Sequence, residues 1–293
     1  MARRRLALPL LLATLVLGCS PGPRAEPPQP PLPPRYESLT LPQATVHLVT
    51  IPDPIAYPLA VAVGDHLATV DRILAQVCGG SPCALAGLNA GFFDPQNGLT
   101  TSAVVVGGEL VADPRQNPRL MENPDLQSDL DKILNRSEFR RYDCGGQPRY
   151  AITPHQAPLP QGCHLVAAVG AGPQLLPQDT GQAEGFVDPQ RGRDALGSGT
   201  RNARSAIGLG AEGQILLVMV AQRPGLASSG LTLAELAQVM AQRGAVQALN
   251  LDGGSSATLV YDGVVYHGRL NAAGEVVPRP VKSILWVPNP QDL

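Results

Sequence analysis

The residues best suited to chemistry form one short run, Asp252-Gly253-Gly254-Ser255-Ser256, set between apolar segments at 248–251 and 257–261. A carboxylate beside two glycines has a definite use. Lacking side chains, Gly253 and Gly254 let main-chain N–H groups approach a ligand that Asp252 can also reach. The same five residues also fit a plain turn, the commoner use of Asp and Gly between strands. The second apolar segment ends in Asp262-Gly263, a pair that favours a tight hairpin turn, so both flanks read as strands.

Other elements must hold that run in place. Residues 45–51 and 59–63 read as strands, 70–77 as a short helix stopped at Gly79-Gly80, and 84–89 as a buried strand delivering NAGFFDPQNG. Further strands are predicted at 103–106 and 109–111 across Gly107-Gly108, and at 165–169, where AVGAGPQLL adds a glycine turn and a second short strand. Residues 205–209 and 214–220 form a hairpin, and strands follow near 264–267 and 283–287. The strongest helix signal is 233–243. Thr232 and Glu235 form a capping-box pattern, Leu233, Leu236, Ala237 and Met240 share a face, and Gly244 supplies the stop. Residues 113–160 read as a polar insertion over one face with a helix at 125–139, and 177–202 as a long loop of the kind that covers a site. Many hairpins and few helices give an α+β fold: a mixed, largely antiparallel sheet with a few packed helices in a single globular domain.

The first 36 residues have a different composition. Arg3-Arg4-Arg5 precede an apolar run at 6–17, too short to span a membrane, which reads as a secretory signal over 1–18. It ends Leu17-Gly18-Cys19, a pattern like a bacterial lipobox, making Cys19 the expected lipidated residue and the membrane a partner through that lipid; simple secretion is the alternative. Residues 19–36 form a tether. Eight of the fourteen residues at 21–34 are proline, which favours an extended arm reaching roughly 40 Å at about 3.1 Å per residue. The domain is then 37–293, in the cell envelope and facing the periplasm or exterior. Its four cysteines are even in number, as an oxidising compartment permits, and short separations favour Cys78 with Cys83 and Cys144 with Cys163; spacing alone leaves all three pairings open. Clustered Cys-x-x-Cys pairs are lacking and the five histidines are scattered, so no metal and no cofactor is expected. Removing the three signal arginines takes the formal charge from −2 to −5. With no basic run bearing interleaved aromatics, nucleic acid is not an expected partner.

Three segments line up in order: NAGFFDP at 89–95, ARSAIGLGAEGQILLV at 203–218 and GLTLAELAQVMAQRGAVQALNLDGGSSATLV at 230–260. With AVGAGPQLL between them and RPVKSILWV at the end, they resemble the phosphodiester glycosidase family, whose members remove a sugar such as N-acetylglucosamine from a phosphodiester link. The similarity runs from about Val46 to Val287 and is weakest between 113 and 160.

The resemblance implies roles. Asp252, Gly253, Gly254, Ser255 and Ser256 match the family's L-D-G-G-G-S-A-T loop, with Ser255 in place of a third glycine. Asn89, Gly91, Phe92 and Phe93 match N-G-G-F-F, with Ala90 in place of its first glycine. Arg204 matches the arginine of R-T-A-I-G and is expected to grip the phosphate, since its planar fork fits two phosphate oxygens, unless it serves as an ion-pair partner. Phe92 is expected to stack on a sugar ring, with Asn89, Ser255 or Ser256 bonding hydroxyls, although Phe-Phe is as often core. Asp252 is the candidate nucleophile or base. Phosphate is a good leaving group, so one carboxylate can suffice where most glycosidases use two. Asp94, Asp188 and Glu184 are candidate second acids, Asp94 within an Asp-Pro pair that commonly opens a turn. The implied activity is an exported hydrolase acting on a phosphorylated glycan or glycolipid. The alternative is an envelope lipoprotein that binds such a glycan without turnover, motivated by Ser255 and Ala90.

Overall fold

Along residues 215–220 alternate side chains enter two different cores. Ile215, Leu217 and Met219 face one, while Leu216, Val218 and Val220 face another. A strand buried on both faces must lie inside a layered structure. A computed structural model describes residues 30–290. The expected signal, Cys19 and most of the tether lie outside the described residues.

The chain opens with β1 (Arg35–Thr40), β2 (Ala44–Ile51), β3 (Ala60–Ala68), α1 (Val70–Val77) and β4 (Ala84–Asn89). It continues through β5 (Val104–Val106), β6 (Glu109–Ala112), α2 (Pro118–Met121), α3 (Leu130–Leu134), β7 (Ser137–Asp143), β8 (Pro148–Pro154), β9 (His164–Gly170) and β10 (Gln174–Leu176). After the short pair β11 (Val187–Asp188) and β12 (Arg193–Asp194) come β13 (Arg204–Gly210), β14 (Ile215–Gln222), α4 (Leu233–Gln242) and β15 (Ala245–Asn250). Last are β16 (Thr258–Tyr261), β17 (Val264–His267) and β18 (Val281–Pro288).

These strands build three main antiparallel sheets, ordered β1-β2-β14-β13-β15-β10, β17-β16-β4-β18-β3 and β6-β5-β9-β7-β8. Val49, Leu217 and Leu249 of the first, Leu88 and Leu285 of the second, and Val104, Phe139 and Val169 of the third share one core. Each such side chain contributes about 1.5–3 kcal/mol by leaving water. On its other face the first sheet packs α4 through Leu233, Leu236 and Met240; α1 covers the second through Val70, Ile73 and Leu74. The capping box of α4 is present: the Glu235 N–H donates to Thr232 Oγ1 at 3.1 Å and the Thr232 N–H to Glu235 Oε2 at 2.9 Å.

The α+β fold is as expected, with one region organised differently. Residues 125–139 are not one helix: a 3-10 turn and α3 stop at Leu134, and β7 begins at Ser137. Nor is 113–160 only a cover, because β7 and β8 complete the third sheet. The first sheet also starts earlier than the tether allows, with β1 from Arg35. Both favoured disulfides are formed. Cys78–Cys83 joins the end of α1 to the start of β4, and Cys144–Cys163 joins the end of β7 to the start of β9. They fit an extracellular or periplasmic protein.

Candidate active site

Asp252 lies where the first and second sheets come together. Beyond β15 the chain stays tied to β13 through the Leu251 N–H and Ser205 carbonyl (2.8 Å). It then turns to the end of β4: the Asp252 N–H donates to the Ala90 carbonyl at 2.9 Å, and Asn89 Nδ2 donates to the Asp252 carbonyl at 2.5 Å. Gly253 is required by close approach, since a Cβ there would lie 2.9 Å from the Ala203 carbonyl oxygen. Gly254 has φ near +60° and donates its N–H to the same carbonyl at 2.8 Å.

The cavity over this turn encloses about 150 Å³ and is lined by Phe92, Leu196, Asn202, Arg204, Asn250 and Asp252, together with Ala195, Leu251, Gly253 and Gly254. Among the described residues, Asp252 is the one carboxylate that lines it. Burial pushes the carboxyl up to about 6, against the pull of the Ser256 hydroxyl, the Arg279 guanidinium and the Gly253 N–H. The Ser256 hydroxyl is itself fully buried and has no hydrogen bond of ordinary geometry. An acid tuned in this way is largely ionised at neutral pH yet basic enough to accept a proton.

The sequence-derived site residues divide into two groups. Asp252, Gly253, Gly254, Phe92 and Arg204 line the cavity together. Phe92 is half-buried against Phe186, ring centroids 5.7 Å apart. Arg204, however, does not hold out a phosphate-binding fork. Its Nε donates to the Leu231 carbonyl (3.1 Å), Nη1 to Leu196 (3.1 Å) and Nη2 to Gly197 (2.7 Å) and Thr200 (2.8 Å). Four of five N–H donors are thereby committed to carbonyls. Its main work is to pin the 196–200 loop over the cavity, a loop that Asp194 also shapes through the N–H groups of Leu196 and Ser198.

The remaining residues serve the protein instead of facing a ligand. Asn89 is fully buried, and its Oδ1 accepts from Ser205 Oγ (2.7 Å) and the Thr258 N–H (3.1 Å). It is a staple between β4, β13 and the Asp252 turn, not a sugar contact. Gly91 is a packing glycine, since a Cβ would come 2.6 Å from the Gly170 carbonyl oxygen. Asp94 does not join the cavity. It closes the 94–99 turn, accepting the Gln96 N–H at 2.8 Å, and pairs with Arg119 at 2.7 Å. Partial burial opposes its ionisation, but these partners hold the carboxyl below its usual range. Glu184 is consumed by Ser137, Thr180 and the Gln174 N–H, and Asp188 by the Gln190 and Arg191 N–H groups. Ser255 follows the cavity-lining Gly254 without lining the cavity itself, and its hydroxyl accepts from Arg279 Nη1 at 3.3 Å.

A model of the phosphodiester glycosidase family matches residues 83–287, well over half of the chain. The chain belongs to the phosphodiester glycosidase family. It therefore falls among glycosidase-type hydrolases. Similar solved structures include the zebrafish N-acetylglucosamine-1-phosphodiester alpha-N-acetylglucosaminidase catalytic domain, auto-inhibited by its pro-peptide (20% identity, TM-score 0.59, covering 87% of this chain and 81% of that one). A Synechocystis protein matches at 21% identity and TM-score 0.56, over 87% of this chain and 62% of the other. A Burkholderia pseudomallei protein described as exported matches at 19% and 0.56, over 83% and 74%. No curated protein shows significant similarity to the chain. At these identities the solved structures establish the fold.

Three residues of this phosphodiester glycosidase site were not singled out from sequence. Asn250, two residues before Asp252, is buried and lines the cavity; its Nδ2 donates to the Gly172 carbonyl (2.8 Å), while Oδ1 has no partner. Asn202 lies in the predicted loop. Arg279 belongs to the RPVKSILWV segment, and its charge is what reaches Asp252. Among the described residues it has no carboxylate within ion-pair distance. No group of three or more potential metal ligands occurs among the described residues, and no helix there is long and apolar enough to cross a membrane.

Proposed function

We propose that this phosphodiester glycosidase hydrolyses the C1–O bond of a sugar 1-phosphodiester resembling an α-linked N-acetylglucosamine diester. The observation that carries the reading is the lone, desolvated Asp252 carboxylate beside an Arg279 guanidinium that has no ion-pair partner. As base, Asp252 takes a proton from water as its oxygen bonds to C1; as nucleophile, it bonds to C1 first and water releases the sugar afterwards. In either order the C1–O electrons leave with the phosphate. The products are the free sugar and a phosphomonoester, with one proton passed to solvent. Charge growing on the departing phosphate is met by Arg279, the available cation. Asn250 Oδ1 offers an acceptor for a sugar hydroxyl or for the attacking water.

The cavity is smaller than the roughly 300–1,000 Å³ of ordinary ligand pockets. It accommodates the reacting atoms, and the pinned 196–200 loop must give way for the rest of the sugar. The purified domain should release sugar from an α-N-acetylglucosamine phosphodiester, and Asp252→Asn should not. Binding of the diester with no release by either protein would leave the phosphoglycan-binding alternative.

Export and anchoring belong to the same proposal. Cys19 is the lipidated residue, and 19–34, the stretch before β1, holds the domain away from the membrane. Cys19→Ala should move the protein from the membrane fraction to a soluble one, and an unchanged distribution would reject the anchor.

A further inference from the structure

Beside the Asp252 cavity, across Asn202, lies a second cavity of about 430 Å³ between the 222–229 loop and the 268–274 hairpin. Arg201, Arg223 and Arg269 line it, and among the described residues no carboxylate does. Arg201 is neutralised by a two-pronged bond to Glu235, as short as 2.7 Å. Arg223 and Arg269 form no ion pair among the described residues. Arg223 uses Nη1 alone, on the Leu41 and Pro42 carbonyls at 2.9 and 3.1 Å. Arg269 also uses Nη1 alone, on Asn202 Oδ1 at 3.0 Å. Each keeps the Nε and Nη2 donors of its fork. The nearby acid Glu275 accepts from Asn271 Nδ2 at 2.9 Å and forms no ion pair with either arginine.

The two cavities are adjacent. Asn202 lines the Asp252 cavity while its Oδ1 holds Arg269, and a Cβ on Gly254 would lie 3.8 Å from Asn202 Nδ2. A phosphodiester carries one charge, and Arg279 already stands on the Ser255 side of the Asp252 turn. Two further unpaired guanidiniums, one residue beyond the reacting centre, exceed what that diester needs. We propose that the arginine-lined cavity is a subsite for an anionic group on the leaving-group side, so that the substrate carries a second phosphate beyond the scissile diester. The inference rests on the phosphodiester glycosidase reading of Asp252, in which the C1–O bond is the one that breaks. It narrows the substrate to phosphorylated glycans or glycolipids with at least two phosphates in sequence. Planar forks suit such oxygens, binding them through paired, charge-assisted hydrogen bonds.

The test compares two α-N-acetylglucosamine 1-phosphodiesters, one with a 2-hydroxyethyl and one with a 2-phosphoethyl leaving group. The wild-type chain should show a KM about tenfold lower for the phosphorylated substrate, a preference that the Arg223→Gln/Arg269→Gln double variant abolishes. Arg269→Gln alone, at an exposed position, should remove part of the preference if the double variant fails to fold. Equal KM values in the wild type, or equal losses on both substrates in the variants, would overturn the subsite. If neither compound is cleaved, the proposed reaction fails instead. Calorimetric binding of the 2-phosphoethyl compound then judges the subsite: weaker binding by the variants upholds it, and unchanged binding overturns it.

Discussion

Two strand ends carry the same residue types and put them to opposite uses. β4 ends in Asn89 and leads to Asp94; β15 ends in Asn250 and leads to Asp252. Asn89 has both ends of its amide engaged by Asp252, Ser205 and Thr258, whereas Asn250, which lines the cavity, keeps a buried Oδ1 with no partner among the described residues. Asp94 is neutralised by Arg119 and held below the usual carboxylate range, while Asp252 is raised to about 6. A carboxylate supplied with donors is committed to holding structure; one that is desolvated and under-supplied is free to react. Residue type brought both candidates forward, and their place relative to the cavity and their count of partners separate them.

The largest effect that could break this comparison is on turnover. Asp252→Asn should lower kcat by about a thousandfold while the domain stays folded, and Asp94→Asn should change it less than about threefold. Similar losses from both would remove the distinction. The pH profile sharpens it: kcat/KM should fall on the acid side with an apparent pKa near 6, since protonation takes away the reactive carboxylate.

Stability should respond with opposite signs. The folded pKa of Asp252 lies above its unfolded value, so the native state holds the extra proton between about pH 4 and 6 and loses stability as pH rises through that window. A rise of about two units corresponds to roughly 3 kcal/mol at neutral pH. Asp252→Asn should therefore raise the melting temperature at pH 7 and leave it nearly unchanged below pH 4. Asp94 is the reverse case. Its folded pKa is lowered, so its contribution is present above the unfolded value and disappears on acidification, and Asp94→Asn should slightly lower the melting temperature at pH 7. The two asparagines divide similarly. Asn89→Ala should cost roughly 2–3 kcal/mol of stability by orphaning buried partners, as read by chemical denaturation, whereas Asn250→Ala should act mainly on kcat/KM.

How far the sequence reveals these outcomes depends on how local their causes are. The α4 cap, the turn after α1, the alternation of β2 and the continuous apolar runs of β4 and β14 are written in adjacent residues, and those elements were legible. β7 was not, because Glu138 and Arg140 pair at 2.5 Å inside the protein yet read in sequence as part of a polar insertion, with Glu138 at the end of the helix expected over 125–139. Asp252 and its glycines were legible as a motif. The partner counts were not, since Asn89 meets Asp252 across 163 positions and Arg204 meets carbonyls from a loop with no hydrophobic pattern.

The smallest predicted effect separates the two arginines. With four donors on main-chain carbonyls, Arg204 acts by holding the 196–200 loop, so Arg204→Lys should weaken cleavage of a phosphodiester and of a neutral aryl glycoside to the same extent. Arg279 hydrogen-bonds the Ser255 hydroxyl and stands over the Phe93 ring, its guanidinium carbon 5.1 Å from the ring centre, and has no ion pair among the described residues. If it meets the charge on the departing phosphate, Arg279→Gln should raise KM for the phosphodiester about tenfold and spare the aryl glycoside, which has no phosphate to lose. A substrate-selective loss at Arg204, with an even loss at Arg279, would exchange the two roles and restore to Arg204 the phosphate contact that its type and motif first implied.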